Sequence, residues 1–268
     1  MDAPKFEEMP SRDAEVEQAS CLLPGAMPHY AARVLPLTTS RAGDLLGPGR
    51  PRRSGPESEL VDDFAARLNP QVPDGCKCVV LREPRVDSGF PDLVVLIWDS
   101  EAATQWPSAR RLVDRSDLRL AHLIHTMRGA REDTLSTLLK KRLDDRLARL
   151  ERAELICRND GEWRTAPVRE AFAIRQILAF EAKMTFSSHV IDQAAANRWF
   201  ASASYVLLPS WGDQSRLVSD ADECGVGIWI NGHAKPKLRH RYLDQPMSYA
   251  SWLFNDWVWR AAGCMDDR

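Results

Sequence analysis

Gly89-Phe90-Pro91-Asp92-Leu93-Val94-Val95-Leu96-Ile97 is an apolar run of strand character opened by a Pro-Asp pair. A second run, Ile177-Leu178-Ala179-Phe180-Glu181-Ala182-Lys183, has the same character but carries an acid and a base two positions apart at its end. Side chains alternate across a strand, so Glu181 and Lys183 fall on one face while Phe180, Ala182 and Met184 fall on the other. Asp92, on a neighbouring strand, can reach the face that holds Glu181. Glu-x-Lys alone carries little information, because it occurs by chance in most chains. Its surroundings decide how it is read.

Downstream, His189 to Ala203 reads as an Ala-rich helix with Gln193 and Asn197 one turn apart. Tyr205-Val-Leu-Leu-Pro209 and Gly225-Val-Gly-Ile-Trp-Ile230 read as two further strands, with a polar stretch between them. Upstream, Leu60, Phe64 and Leu68 recur at helical spacing, with Pro56 just before them and Asn69-Pro70 to stop the helix. Cys76 to Glu83 reads as a strand, and Pro84 to Phe90 as the turn into the Pro-Asp strand.

This succession resembles the PD-(D/E)XK nuclease superfamily, the restriction-endonuclease-like fold. The resemblance implies an α/β core with a mixed central sheet flanked by helices, formed by residues 56–100 and 170–268. It implies divalent-metal-dependent hydrolysis of DNA phosphodiester bonds, by an endonuclease in preference to an exonuclease, in host defence, restriction or DNA processing. Asp92, Glu181 and Lys183 match the motif residue by residue. The family's usual acid on the first helix falls to Glu59, with Glu57, Asp62 and Asp63 as alternatives. The family's further metal ligand, a backbone carbonyl, falls to Ala182. Glu83 and Asp87 lie near enough in sequence to add ligands, but read first as turn or edge residues.

The residue types suit that chemistry. Two hard carboxylates suit Mg²⁺ or Mn²⁺, which prefer oxygen ligands and keep several waters. Such a cation polarises a phosphate and lowers the pKa of a bound water. A lysine beside it can orient the water or steady the charge that develops on the phosphate.

The spacing departs from the simplest family pattern: positions 92 and 181 are 89 residues apart. The intervening segment, residues 101–169, has its own pattern. Asp117–Met127, Thr134–Lys140 and Leu143–Ala153 read as three helices, and Asn159-Asp160-Gly161 marks a hairpin. Three helices followed by a small hairpin resemble an inserted winged helix-turn-helix (α+β) domain, with Leu120, Ile124, Leu138, Leu147 and Leu150 as its core. On that reading Arg142, Arg146 and Arg149 face DNA, as do Gln193, Lys235 and Lys237 of the nuclease core. Acidic residues interleave with the insert's bases, which is also how an ordinary solvated helix looks.

A net charge of −2 over 268 residues provides no global positive field, so binding must rest on local patches such as Arg50–Arg53 and Lys235–Arg241. The six cysteines form no Cys-x-x-Cys pair and read as reduced thiols of a cytoplasmic protein. No leader segment or membrane-length apolar run is evident. Residues 1–55 are rich in Pro, Gly and Arg and read as a linking segment, with a short strand over 30–37 and a helix over 40–46. The aromatic stretch from Tyr249 to Trp259 reads as a helix covering the sheet. DNA is the expected partner; RNA and a homodimer stay open. Two other classes compete: a non-catalytic DNA-binding regulator on a nuclease-like scaffold, and an effector nuclease switched on by a partner or small molecule.

Overall fold

A computed structural model describes residues 33–34, 43–46, 54–68, 72–87, 89–139, 142–211, 215–239, 243–246 and 248–263. A two-residue strand, β1 (Arg33–Val34), and a short helix, α1 (Gly43–Leu46), come first. They are followed by α2 (Pro56–Arg67), β2 (Cys76–Arg82) and β3 (Leu93–Asp99). Then come α3 (Arg115–Thr126), β4 (Ala130–Arg131), α4 (Glu132–Leu138), α5 (Leu143–Arg152), β5 (Ile156–Asn159) and β6 (Glu162–Thr165). The chain returns through α6 (Val168–Ala171) to β7 (Ile174–Ala182), α7 (Ser188–Asn197), β8 (Ala203–Leu208), α8 (Ser215–Glu223), β9 (Gly227–Ile230) and α9 (Tyr249–Gly263).

The protein is α/β, with a mixed sheet in the order β1-β2-β3-β7-β8-β9. β2, β3 and β7 are antiparallel neighbours, while β8 and β9 run parallel to β7. The continuous apolar character of β3 and β7 has a direct cause: both faces of the sheet are covered, as they must be for strands without polar alternation. On one face α2 packs Leu60, Phe64 and Leu68 against Val80, Val95, Leu178, Phe180 and Tyr205. On the other, α9 presses Trp252, Phe254 and Trp257 onto Val94, Leu96, Ile177 and Ala179, and α7 and α8 cover Val206 and Ile228. The aromatic C-terminal helix is thus a sheet cover, as its sequence suggests. Gly227 is required where Tyr205 lies over β9: a Cβ there would stand 2.4 Å from the tyrosine ring.

The segment between β3 and β7 stays out of the main sheet. Its three short strands form a separate sheet in the order β4-β6-β5. Leu120, Ile124, Leu147 and Leu150 are buried, but Leu138 is exposed and Leu135 takes the inward position. The core is not a separate one either. These leucines belong to one apolar cluster with α9 and the sheet face beneath it. The hinge of this junction is Arg110, buried just before α3, whose Nε and Nη2 donate to Asp256 on α9 at 2.9 Å each. Its Nη2 also donates to the Ala171 carbonyl at 2.8 Å.

Other differences have simple reasons. The helix over 189–203 ends at Asn197, because Ala203 and its neighbours enter β8 and the intervening turn is closed by hydrogen bonds to the Ala195, Ala196 and Asn197 carbonyls. The polar stretch before β9 contains α8, whose apolar contacts rest on Leu217, Val218 and Ala221. In the N-terminal segment β1 and α1 match the two short elements read there, and Leu45 and Leu46 are buried. The basic run Arg50–Arg53, Lys140, Lys141, His240 and Arg241 lie outside the described residues. Cys76, Cys78, Cys157 and Cys224 are free thiols. Among the described residues no helix is long and apolar enough to cross a membrane.

Candidate active site

The antiparallel pairing brings the end of β2, the start of β3 and the end of β7 to one edge of the sheet. The register Leu93↔Phe180, carried one step on, sets Asp92 opposite Glu181. Both side chains fall on the sheet face covered by α7 and α9, which is the face predicted from strand alternation. At this edge a cleft of about 490 Å³ opens. Its walls come from the N-terminus of α2 (Ser54 to Ser58, Val61), from Arg82 and Glu83, from Phe90 and Asp92, from Glu181, Lys183 and Met184, and from Gln193 on α7. A second hollow of about 520 Å³ lies between α4 and α5. Glu132, Asp133, Asp144 and Asp145 line it, but all of these are solvated helix residues and it holds no buried acid.

Glu181 is 8% exposed and accepts a hydrogen bond from Asn197 Nδ2 at 2.7 Å. Asp92 Oδ2 accepts from the backbone N–H of Ala182 at 2.7 Å. Lys183 leaves the strand end on the side of α2 and donates to Glu57 at 2.9 Å. Arg82, in the cleft wall, is paired with Asp62 and Ser58. Among the described residues neither Asp92 nor Glu181 forms an ion pair. Two more acceptors are shut away from solvent without a donor: Oε2 of Glu83 and Oε1 of Gln193.

The electrostatic consequence is that the acids hold protons tightly. Burial, reinforced by the neighbouring Asp92 charge, pushes the Glu181 carboxyl up to about 8. Burial likewise raises Asp92, against the pull of the Ala182 N–H and of Lys183. A cleft whose carboxylates resist ionisation, and whose remaining oxygens lack donors, is chemically suited to a cation.

The structure brings Asp92, Glu181, Ala182, Lys183 and Gln193 together at this edge. Glu59 is not among them: it is exposed on α2 and does not line the cleft. Glu57, two residues earlier at the helix start, holds the position instead. The two differ by 200° around the helix, so one register error moves the acid to the opposite side. Glu83 also enters the cleft. The sequence offers no pattern that singles it out, because its place depends on how the strand ends. Asn197 carries a signal in its spacing from Gln193.

The basic residues assigned to DNA are scattered. Arg149 is turned inward, its Nε and Nη2 each donating to the fully buried Asp117 at 2.8 Å. Arg146 bonds the Ser116 carbonyl and lies 3.6 Å from the same aspartate. Both fasten α5 to the start of α3 and are committed to the fold. A buried acid at the helix start, invisible in the spacing of the bases, attracts them. Arg142 is exposed, with Asp145 3.5 Å away. Lys235 and Lys237 are exposed on the segment that folds back along β9, outside the cleft lining.

No family model, curated protein or solved structure matches the chain. Among the described residues no three His, Cys, Asp or Glu side chains are grouped to hold a metal ion. A cation held by two carboxylates, a carbonyl and water does not need such a group. The unpartnered oxygens of Glu83 and Gln193 and the raised carboxyls of Asp92 and Glu181 fit that donor set.

Proposed function

We propose that this cleft hydrolyses DNA phosphodiester bonds with a divalent cation, Mg²⁺ or Mn²⁺. The observation that carries the reading is the pairing of Asp92 and Glu181 across adjoining strands, beside Lys183 and with no ion pair to either among the described residues. Asp92, Glu181 and the Ala182 carbonyl would hold the cation. When bound, it would neutralise the two carboxylates, polarise the phosphate and make a bound water more acidic.

The chain's own residues have distinct work. Asn197 fixes Glu181, and the Ala182 N–H fixes Asp92. Glu57 keeps Lys183 at the cleft wall, where its ammonium can steady the charge that grows on the phosphate oxygens. Gln193 offers its amide N–H groups to the same oxygens. The unit of α3, α4, α5 and the β4-β6-β5 sheet is read as an inserted winged helix-turn-helix. Its DNA contacts then fall to exposed residues such as Arg142, since Arg146 and Arg149 are engaged internally. Lys235 and Lys237 are candidates for a further phosphate contact.

The direct test is incubation of the purified protein with plasmid, linear and single-stranded DNA and with RNA, in Mg²⁺, Mn²⁺ or EDTA. Cleavage that needs the cation and disappears in Asp92→Ala and Glu181→Ala supports the reading. Binding to DNA without cutting under every condition replaces it with the non-catalytic regulator. Cutting of RNA alone changes the substrate and leaves the site.

A further inference from the structure

The turn that leads from β2 into the Pro-Asp strand carries an acid held from outside. Val86 and Gly89 close this turn with two backbone hydrogen bonds of 3.0 Å, and Phe90, the next residue, lines the cleft. Asp87 projects from it. Arg115 Nη2 donates to one of its oxygens at 2.7 Å and Arg119 Nη2 to the other at 2.9 Å. The Tyr249 hydroxyl joins the cluster by accepting from Arg119 Nη2 at 3.0 Å, and with the two guanidinium groups it holds the Asp87 carboxyl below its ordinary value. Arg119 also lies over the Tyr249 ring, 4.6 Å from its centre, and Trp199 meets that ring edge-on.

Two guanidinium groups therefore converge on one carboxylate. The two arginines stand four residues apart on α3 and share a face. No acid on α3 pairs with either of them among the described residues. With one acid between two bases, the cluster keeps a surplus positive charge. It is also open to water, the side chains of Arg115, Asp87 and Arg119 being 30%, 42% and 52% exposed. Open ion pairs of this kind contribute little to stability. Converging guanidinium forks, by contrast, match a phosphate group closely. The half-exposed Trp199 and Tyr249 rings add surfaces on which a base can stack.

We infer that Arg115, Arg119 and Tyr249 form a binding site for a backbone phosphate of the nucleic-acid substrate, occupied in the free protein by Asp87 as an internal anion. The inference rests on the nuclease reading, and it places the substrate's backbone beside the turn that delivers Asp92. A backbone phosphodiester carries the same single negative charge as the carboxylate and presents two free oxygens to the same guanidinium forks, so it takes the place of Asp87 when the rest of the strand docks. Release of Asp87 frees the turn next to Phe90, so substrate binding and access to the cleft are linked.

The test is nucleic-acid binding in EDTA, followed by fluorescence anisotropy of labelled duplex and single-stranded DNA across a salt series. Arg115→Ala/Arg119→Ala should weaken binding at least about tenfold and reduce the salt slope by about one, for the one phosphate no longer neutralised. Asp87→Asn should tighten binding several-fold, because the competing anion is gone. If the arginine variant does not fold, Asp87→Asn alone decides. Unchanged or weaker binding by Asp87→Asn overturns the inference, as does an unchanged affinity and salt slope in the arginine variant. In either case, wild-type protein that still cuts DNA leaves the nuclease reading intact. Wild-type protein that neither binds nor cuts nucleic acid removes both.

Discussion

Glu181 and Asp256 are both carboxylates withdrawn from water, one at the edge of the sheet and one under it, and their neighbours differ in kind. Asp256 receives Arg110 through both oxygens, and Arg110 in turn lies 3.4 Å from the Trp106 ring and donates to the Ala171 carbonyl. Nothing in that cluster needs an outside partner. Glu181 receives one amide N–H, faces a second carboxylate, and has two unpartnered acceptors in the same cleft. A chain that satisfies one buried acid so completely could satisfy the other. Leaving it unsatisfied carries a stability cost that a bound cation would offset. On the proposed reading, the contrast separates an acid that holds the fold from acids kept for chemistry.

The largest effects should come from removing the cleft acids. Asp92→Ala and Glu181→Ala should each lower cleavage by about a thousandfold or more, since loss of the cation removes several kcal/mol of transition-state stabilisation. Neither should lower the melting temperature in EDTA, because each removes a buried carboxyl that the cleft satisfies poorly. Cleavage at the wild-type rate in both variants would end the nuclease reading. A large fall in melting temperature would instead make these acids structural, and the contrast with Asp256 would collapse.

Arg110→Ala should do the reverse. It leaves Asp256 buried without its fork, and loss of one partner of such a pair costs about 3–5 kcal/mol. Urea denaturation measures it directly. At a temperature where the variant is folded, its cleavage rate should stay near wild type. A loss below about 1 kcal/mol would show that Asp256 is rehydrated easily, so that burial alone does not mark a structural pair.

These two regions were not equally legible in the sequence. The Pro-Asp and Glu-x-Lys strands could be read because strand alternation fixes which side chains share a face, and antiparallel register does the rest. The sheet-covering role of α9 was legible for a similar reason, since a helix so rich in Trp and Phe must bury them. Glu57 was legible only as an alternative to Glu59, and Glu83 only as a turn or edge residue, because one depends on helix phase and the other on how a strand ends. The internal contacts of Arg146 and Arg149 were hidden for a different reason. A row of bases on a helix looks like a nucleic-acid contact until a distant acid, here Asp117, is folded beneath it. Leu138 failed in the same way, since Leu135 on the same helix fills the core. Asp256 and Arg110 lie 146 residues apart, and no local pattern joins them.

The pH dependence of stability should be of intermediate size. In the folded, cation-free protein Glu181 keeps its proton to about 8, against 4.5 ordinarily. Between those values the folded state binds more protons than the unfolded state, so stability falls as pH rises through that window. The raised Asp92 carboxyl adds to the same slope. Melting temperatures in EDTA should therefore decline from about pH 4.5 to about 8, less steeply in Glu181→Gln than in wild type. Mg²⁺ should reduce the decline, because a bound cation favours the ionised carboxylates. An identical slope in wild type and Glu181→Gln would place the strain elsewhere.

The smallest effect separates the two acids at the start of α2. Lys183 and Glu57 are partly exposed, at 28% and 48%, so their ion pair is worth no more than about 1 kcal/mol. Glu57→Ala should leave the melting temperature nearly unchanged. Its effect belongs on the rate: a freed Lys183 samples more rotamers, and cleavage should fall by up to about tenfold with little change in DNA affinity. Glu57→Gln should recover part of that loss, since its amide oxygen can still accept from the ammonium. Glu59→Ala should match wild type, because its side chain points to solvent and away from the cleft. The pair of variants sharpens the boundary between chemistry and scaffold to two residues on one helix. If Glu59→Ala is the slower enzyme, helix α2 meets the substrate through its other side, and the assignment of Glu57 to Lys183 must be reversed.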